Sequence, residues 1–276
     1  MDIRYSIAPQ NAEQMNTEAL RAQFLLEDLF ADDQVRWVYA QDDRALLGGC
    51  VPYTEVRLEA DSSVIGGPNL LERREVGVFN LGGEAEIAVG TERYQLGPLD
   101  ALYVGRTTEP VILASKGTER PARLYLVSTP AHREYPTTAV TQRDAEAVEL
   151  GSQEAANRRT LRKYIFPGGA ASCQLVMGFT RVHEGSVWNT MPCHTHLRRM
   201  EAYLYFDLAA EAVAFHLMGR PTNTRHLVVR NEQAVISPPW SIHSGAATAS
   251  YSFVWAMAGE NQEFTDMDAV PVETLA

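Results

Sequence analysis

The chain has 276 residues, 45% of them hydrophobic and 21% charged, which is typical of a globular protein with one large domain or two of roughly 130 residues. Its net charge of −11 argues against nucleic acid or an anionic membrane surface as a partner, and no apolar run approaches the roughly 18 residues of a transmembrane helix. Three cysteines without framework spacing indicate reduced thiols, so we expect a cytoplasmic protein.

In chain order the sequence predicts one helix and then many short strands. Residues 17–26 predict a short capped helix with Leu20 and Phe24 on one face. From Val35 onward, short β-rich runs alternate with Gly, Pro, Asn and Asp turns, which favours sandwich or barrel domains over alternating β/α units. The runs are residues 36–39, 76–79, 86–89, 101–104, 123–127, 174–177, 202–206, 212–217, 226–229, 234–237 and 251–257.

The two halves of the chain resemble each other weakly. Residues 71–75 correspond to 197–201, and residues 100–104 correspond to 233–237. Between them, residues 130–159 lack period-2 patterning and predict a connection with a helical turn. We therefore predict an all-β protein with a few short helices and two antiparallel β-barrel (jelly-roll) domains, residues 1–140 and 141–276.

The second half carries a pattern typical of a metal site. His194 and His196 are two residues apart, so on a strand they aim into one interior. Glu201 follows a short charged turn, and His243 follows a Pro-Pro-Trp-Ser-Ile run. Three imidazoles and one carboxylate suit a divalent first-row metal such as Zn, Mn, Fe or Ni, and leave positions open for water or substrate. Cys193 alternates to the opposite face, and we interpret it as a packing residue.

This His-x-His, Glu and distant His pattern resembles the metal-binding motifs of the cupin superfamily of small antiparallel β-barrels. Longer strings resemble the 5-keto-4-deoxyuronate isomerase family, also called 4-deoxy-L-threo-5-hexosulose-uronate ketol-isomerases, from the first residues to about residue 268. These strings are residues 72–78, 100–105, 157–160, 188–196, 231–238 and 259–262.

The resemblance implies a zinc-dependent aldose–ketose isomerase. Its reaction would convert 5-dehydro-4-deoxy-D-glucuronate to 3-deoxy-D-glycero-2,5-hexodiulosonate in pectin or polyuronide catabolism. The family's zinc ligands carry over to His194, His196, Glu201 and His243, with one Zn²⁺ per chain. The resemblance also implies a cytoplasmic homohexamer that acts on a small-molecule uronate. The first domain has no histidine before His132 and cannot share the imidazole site.

Moving a carbonyl to its neighbouring carbon requires a proton, or a hydride, to leave one carbon and arrive at the next. Proton transfer needs a base that shuttles the proton. The sequence leaves this base open between a metal-bound hydroxide and a carboxylate or phenol on the inner face. Tyr203 and Tyr205 share the parity of the Glu ligand and are the phenol candidates. A substrate carboxylate calls for an interior cation. As substrate-binding residues we predict Lys163, Arg199 and, as a cavity wall, Trp240.

Several alternatives remain open at this level. Arg158 and Arg159 are further candidates for the substrate carboxylate, or for a subunit contact. A cupin dioxygenase is the alternative enzyme, because the same three His and one Glu hold Fe, Mn or Ni for oxygen chemistry. A third class is a cupin without catalysis, which binds a sugar acid or uses the metal for rigidity.

Overall fold

The computed structural model describes all 276 residues, Met1–Ala276. The strands are β1 (Asp2–Arg4), β2 (Leu25–Leu26), β3 (Arg36–Ala40), β4 (Ala45–Cys50), β5 (Val56–Arg57), β6 (Arg74–Asn80), β7 (Ala85–Val89), β8 (Glu92–Leu96), β9 (Ala101–Val104), β10 (Val111–Ser115), β11 (Leu124–Pro130), β12 (Thr138–Val140), β13 (Glu146–Leu150), β14 (Arg159–Ile165), β15 (Val176–Val182), β16 (Trp188–Asn189), β17 (His194–Thr195), β18 (Arg199–Phe206), β19 (Ala214–Arg220), β20 (Asn223–Val229), β21 (Ala234–Ser237), β22 (Ser244–Ala247), β23 (Tyr251–Gly259) and β24 (Asp268–Ala269).

The helices are short. They are α1 (Pro9–Ala12), α2 (Thr17–Phe24) and α3 (Ser62–Ile65), with 3-10 turns at Asp42–Arg44, Leu70–Glu72 and Val272–Thr274. None of them has the length and apolar character needed to cross a membrane. The prediction of an all-β protein with a few short helices is confirmed.

The chain forms two compact units, each assembled from three segments. The first unit comprises Met1–Ile3, Leu29–Ala145 and Tyr164–Val176. The second unit comprises Arg4–Asp28, Glu146–Lys163 and Met177–Ala276. The domain boundary between residues 140 and 141 stays a prediction.

Each unit pairs a seven-stranded sheet with a four-stranded one, and the strand orders of the two units correspond position by position. In the first unit the orders are β1-β3-β4-β11-β6-β9-β12 and β5-β10-β7-β8. In the second unit they are β13-β14-β15-β23-β18-β21-β2 and β16-β22-β19-β20. The predicted internal repeat is therefore confirmed, with β6 in the place of β18 and β9 in the place of β21.

The sheets do not close into the predicted barrels, so each unit is an open jelly-roll sandwich. In the first unit the core lies between the two sheets. Val78 and Leu126 enter it from the large sheet, and Ile87 and Leu113 enter it from the small sheet, all of them buried. Apolar packing between the inner faces holds such sheets together without hydrogen bonds from edge to edge.

The predicted helix at residues 17–26 is confirmed as α2, but it ends two residues early. The Asn16 side chain caps it by accepting a hydrogen bond from the Ala19 amide (2.8 Å), and Leu20 and Phe24 are buried as expected. Leu25 and Leu26 leave the helix and pair with β21 as strand β2. Pairing with the edge of β21 therefore places Leu25 and Leu26 in a strand, although the local sequence pattern favours helix.

The prediction of a connection with a helical turn at residues 130–159 is correct for the turn but missed the strands. The amides of residues 144 and 145 donate to the Thr141 carbonyl oxygen (3.1 and 3.0 Å), which forms one helical turn. This stretch contains β12 and β13 and the first residue of β14. β12 and β13 are edge strands, each hydrogen-bonded to one neighbour, and their side chains are mostly exposed or half-buried. An edge strand that faces solvent on most positions lacks the hydrophobic alternation on which the sequence prediction depends.

Strand β4 escaped prediction because it carries two glycines in an apolar run. A Cβ at Gly48 would lie 2.5 Å from the Trp37 ring, and one at Gly49 would lie 2.7 Å from the Leu29 carbonyl oxygen. The chain therefore needs glycine here for close approach, although glycine weakens a strand signal.

Glu75 stands in β6 at the position that corresponds to Glu201 in the repeat. Its side chain is fully buried. One carboxylate oxygen accepts hydrogen bonds from the Thr129 hydroxyl (3.0 Å) and the amides of residues 174 and 175 (2.8 and 2.9 Å). The other accepts from the Tyr103 hydroxyl (2.7 Å) and the amide of residue 173 (2.6 Å). Five donors thus compensate the buried charge and fix residues 173–175 within the first unit.

We expect Glu75→Gln to lower the free energy of unfolding by about 2 to 3 kcal/mol, because the amide nitrogen would face backbone donors and leave them unpaired. Urea unfolding measures the change, and Glu84→Gln, at an exposed glutamate, serves as the matched control. Equal stability of the two variants would contradict this account of Glu75.

Candidate metal centre and cavity

Both sheets of the second unit contribute to the predicted metal cluster. Glu201 belongs to β18 in the seven-stranded sheet, and His243 immediately precedes β22 in the four-stranded sheet. His194 lies in β17, and His196 follows it in the turn that leads to β18. Packing of the two sheets therefore brings together residues up to 49 positions apart.

The four candidate ligand atoms lie within 4.8 Å of one another. His243 Nε2 is 2.9 Å from His194 Nε2 and 2.8 Å from a Glu201 carboxylate oxygen. His196 Nε2 is 3.1 Å from the same carboxylate oxygen. Adjacent ligand atoms that each lie about 2.1 Å from one ion are about 3 Å apart, so these donors fit a single metal ion.

The surroundings of the cluster favour the neutral form of His194 and the ionised form of Glu201. The His196 Nδ1 atom hydrogen bonds the Arg199 carbonyl oxygen (2.9 Å), which turns Nε2 toward the other ligands. Burial, together with the neighbouring His243, lowers the pKa of His194 to about 3, so its imidazole is neutral. For Glu201, burial favours the protonated form, but His243 and His196 outweigh burial and hold its pKa below the ordinary value. Neutral imidazoles and an ionised carboxylate are metal ligands.

A cavity of about 240 Å³ opens onto two of the ligands, His194 and Glu201. Its polar walls include Tyr203, Arg159 and Thr190. Its apolar walls include Phe253, Trp255, Met257, Phe264 and Met267. The cluster therefore faces a space of the size that a small organic molecule occupies.

The two tyrosines predicted from strand parity have different surroundings. Tyr203 lines the cavity, and its hydroxyl is 3.0 Å from the Thr190 hydroxyl. Burial, together with the Glu201 charge, raises the pKa of Tyr203 well above its ordinary value, so the phenol keeps its proton. The Tyr205 hydroxyl instead hydrogen bonds His216 Nδ1 (2.8 Å), and Tyr205 does not line the cavity. A catalytic role for either tyrosine stays a prediction.

Sequence reasoning missed His216. This histidine is fully buried, bonds both Tyr205 and the Ser237 hydroxyl (3.3 Å), and burial lowers its pKa to about 3. The available signal was alternation in β19, where Ala214 and Met218 share its buried face. A neutral imidazole beside two hydroxyls satisfies polar atoms that the interior would otherwise leave unpaired.

The predicted substrate-binding residues do not line this cavity. Lys163 pairs with the Glu146 carboxylate (2.5 Å), and Trp240 Nε1 donates a hydrogen bond to the Ile7 carbonyl oxygen (3.0 Å). The fully buried Arg199 donates to the carbonyl oxygens of residues 263, 264 and 266 at 2.8, 3.5 and 3.0 Å. Their assignment to substrate binding stays a prediction.

Arg198 and Arg199 together hold the segment that follows β23 against the cavity. Arg198 binds the Asp266 carboxylate through Nε (2.8 Å), while Arg199 binds carbonyl oxygens of the same segment. Phe264 and Met267 of this segment form part of the cavity wall. The charged turn next to the metal ligands therefore shapes the cavity through the backbone it binds.

The packing role expected for Cys193 is confirmed by its buried contacts in a small cluster with Ile242 and Val270.

The sequence profile of the KduI/IolB family matches residues 24–272 of the chain. The chain belongs to the KduI/IolB family. Proteins named 4-deoxy-L-threo-5-hexosulose-uronate ketol-isomerase from Caldicellulosiruptor bescii and Shouchella clausii are 47% and 48% identical to it over 275 residues, covering 100% of each chain. The family resemblance inferred from the sequence strings is thus confirmed.

Solved structures of lower identity share the fold. An IolB-like protein from Salmonella typhimurium LT2 superposes with a TM-score of 0.71 at 13% identity, covering 90% of this chain and 96% of the other. A mutant of Bacillus subtilis oxalate decarboxylase gives a TM-score of 0.56 at 11% identity, covering 80% and 69%. At these identities the likeness establishes the jelly-roll architecture alone.

We expect His243→Ala to lose most of its bound metal while it remains folded. The substitution removes one of the four donors, whereas the pairing of β22 with β16 and β19 begins after residue 243. Elemental analysis per chain and far-UV circular dichroism measure the two effects, with His226→Ala at an exposed histidine as the control. Full metal occupancy in His243→Ala would contradict its role as a ligand, and two tightly bound ions per wild-type chain would contradict a single centre.

Proposed function

We propose that this chain is a zinc-dependent aldose–ketose isomerase of polyuronide catabolism. It would convert 5-dehydro-4-deoxy-D-glucuronate to 3-deoxy-D-glycero-2,5-hexodiulosonate. The observation that carries the proposal is the 47% identity over the whole chain to relatives named as ketol-isomerases of this uronate. In support, the three histidines and Glu201 form one cluster, and two of its members, His194 and Glu201, line a cavity of about 240 Å³.

The reaction moves a carbonyl group from C1 to C2. One hydrogen passes from C2 to C1, and one proton passes from the C2 hydroxyl to the C1 oxygen. His194, His196, Glu201 and His243 would hold a divalent ion, which when bound supplies a Lewis acid for the oxygens on these two carbons. Zn²⁺ is our proposal for this ion, because three imidazoles and one carboxylate are ligands that zinc accepts. The burial of His196, Glu201 and His243 keeps bulk water away from the ligands.

We propose Tyr203 as the side chain that handles a proton near the reacting carbons. Its hydroxyl lies in the cavity wall beside Glu201 and is oriented by Thr190. A phenol in this position can donate a hydrogen bond to a substrate oxygen and deliver a proton as charge develops there. Tyr205, whose hydroxyl is bonded to His216, is the less favoured candidate.

Tyr203→Phe is expected to lower kcat by about 10²- to 10⁴-fold, the usual contribution of a positioned acid or base. Metal content should stay unchanged, because the four ligands are retained. Tyr205→Phe is the matched variant, since it also deletes a phenol hydroxyl, two residues further along β18. Steady-state kinetics and elemental analysis of both proteins decide between the two tyrosines, and a larger loss in Tyr205→Phe would reverse our assignment.

The decisive experiment supplies the purified protein with the unsaturated uronate monomer released by a polyuronide lyase. Ketose formation and oxygen consumption are followed together. We expect the isomer to form without oxygen uptake. Oxygen uptake would identify a dioxygenase instead, and the absence of both signals would identify a binding protein.

Assembly and location follow the family resemblance. We propose a cytoplasmic homohexamer in which the first domain, residues 1–140, contributes no metal ligand and serves packing and subunit contact. Closed symmetric assemblies bury large surfaces and protect strand edges. Light scattering at low micromolar concentration measures the assembly, and a mass near the 30.6 kDa of one chain with full activity would contradict the hexamer.

A further inference from the structure

The cavity beside the metal cluster has one cationic side chain in its wall, Arg159. Arg159 is the first residue of β14 and pairs with Leu150 at the end of β13, which also lines the cavity. The neighbouring cations along the chain, Arg158, Arg162 and Lys163, do not line the cavity. Arg158 is exposed, and Lys163 is paired with Glu146.

The Arg159 guanidinium lacks a counter-ion. It makes one hydrogen bond, from Nη1 to the Asn157 carbonyl oxygen (2.9 Å), and no carboxylate pairs with it. The side chain is half-buried, and burial lowers its pKa from the ordinary value. Removing a cation from water without an anionic partner costs free energy. An anion that enters the cavity would recover part of that cost.

The rest of the cavity complements an anion that is otherwise uncharged and partly apolar. His194 and Glu201 line the same cavity as Arg159, and Phe253, Trp255 and Met257 supply carbon surface. The Trp255 indole N–H is already bonded to the Thr180 hydroxyl (3.2 Å). An apolar methylene group of a ligand can therefore pack against these side chains without leaving the Trp255 N–H unpaired.

We propose that Arg159 binds the carboxylate of a sugar acid whose carbonyl end meets the metal ligands, and that this contact selects uronates over neutral sugars. The inference rests on the proposed function for the identity of the substrate. A guanidinium binds a carboxylate through two parallel hydrogen bonds, so it orients the acid as well as attracting it. In an open six-carbon chain the carboxylate and the reacting carbons lie at opposite ends, which suits one cation and one metal cluster in a single cavity.

The test compares Arg159→Met with Arg158→Met on two substrates, the keto-uronate and its methyl ester. For the acid, Arg159→Met should lower kcat/KM by about 10- to 150-fold, the range for a hydrogen bond to a charged group. For the ester its kcat/KM should match that of the wild type. Arg158→Met should match the wild type on both substrates. Equal losses of Arg159→Met on acid and ester would overturn the proposal, because they would indicate a general structural defect.

A binding measurement separates this proposal from the proposed function. Calorimetry with D-galacturonate and its methyl ester requires no turnover, and we expect wild-type protein to prefer the acid while Arg159→Met does not. Binding of the acid that depends on Arg159 but without isomerisation would reject the isomerase and keep the anion site. Isomerisation with the same acid preference in wild type and Arg159→Met would reject the anion site and keep the isomerase. If Arg159→Met fails to fold, Arg159→Lys replaces it, and its kcat/KM for the acid should fall while that for the ester holds.

Discussion

Burial of the Glu201 carboxylate is the constraint on which the second unit depends. An ionised carboxylate in an apolar interior is costly unless cations or hydrogen-bond donors surround it. His196 and His243 lie within 3.1 Å of this carboxylate, and they reach it from separate parts of the chain. Glu201 lies in β18 of the seven-stranded sheet, and His243 lies just before β22 of the four-stranded sheet. The two sheets must therefore pack at the distance that brings these two side chains into contact. A sandwich of two sheets meets this requirement because its inner faces are held at a fixed separation.

The two units solve the same problem in different ways. Their sheets have corresponding strand orders, and each places a buried glutamate near the start of the fifth strand of its large sheet, Glu75 in β6 and Glu201 in β18. In the first unit, hydroxyls and three consecutive backbone amides surround the carboxylate and satisfy it completely. In the second unit, His196 and His243 contact the carboxylate, and together with His194 they place four candidate ligand atoms within 4.8 Å of one another. The same backbone thus supports a closed structural contact in one case and a metal-type donor set in the other.

Most of the cationic side chains near the cavity are bound to other groups of the protein. Arg198 and Arg199 bind the segment that follows β23, through the Asp266 carboxylate and backbone carbonyl oxygens. Lys163 is neutralised by Glu146. Arg159 is the one Arg or Lys among the residues that line the cavity together with His194 and Glu201. In a cavity with mostly apolar walls, one such charge has a large effect on which ligand binds, because the low local dielectric screens it poorly.

The sequence by itself determined the metal-type donor set, the all-β class and the repeat. These depend on the His-x-His spacing, on alternation within the strands and on strings that resemble a known family, all of which can be read without knowledge of packing. The tertiary structure alone decided which of Tyr203 and Tyr205 faces the cavity, since equal parity places both on one side of β18 but does not choose their neighbours. It also decided the strand character of β12 and β13, whose exposed side chains carry little periodic signal, and the position of Arg159 among several arginines. Contacts between residues distant in the chain settle these features, and a one-dimensional pattern does not contain them.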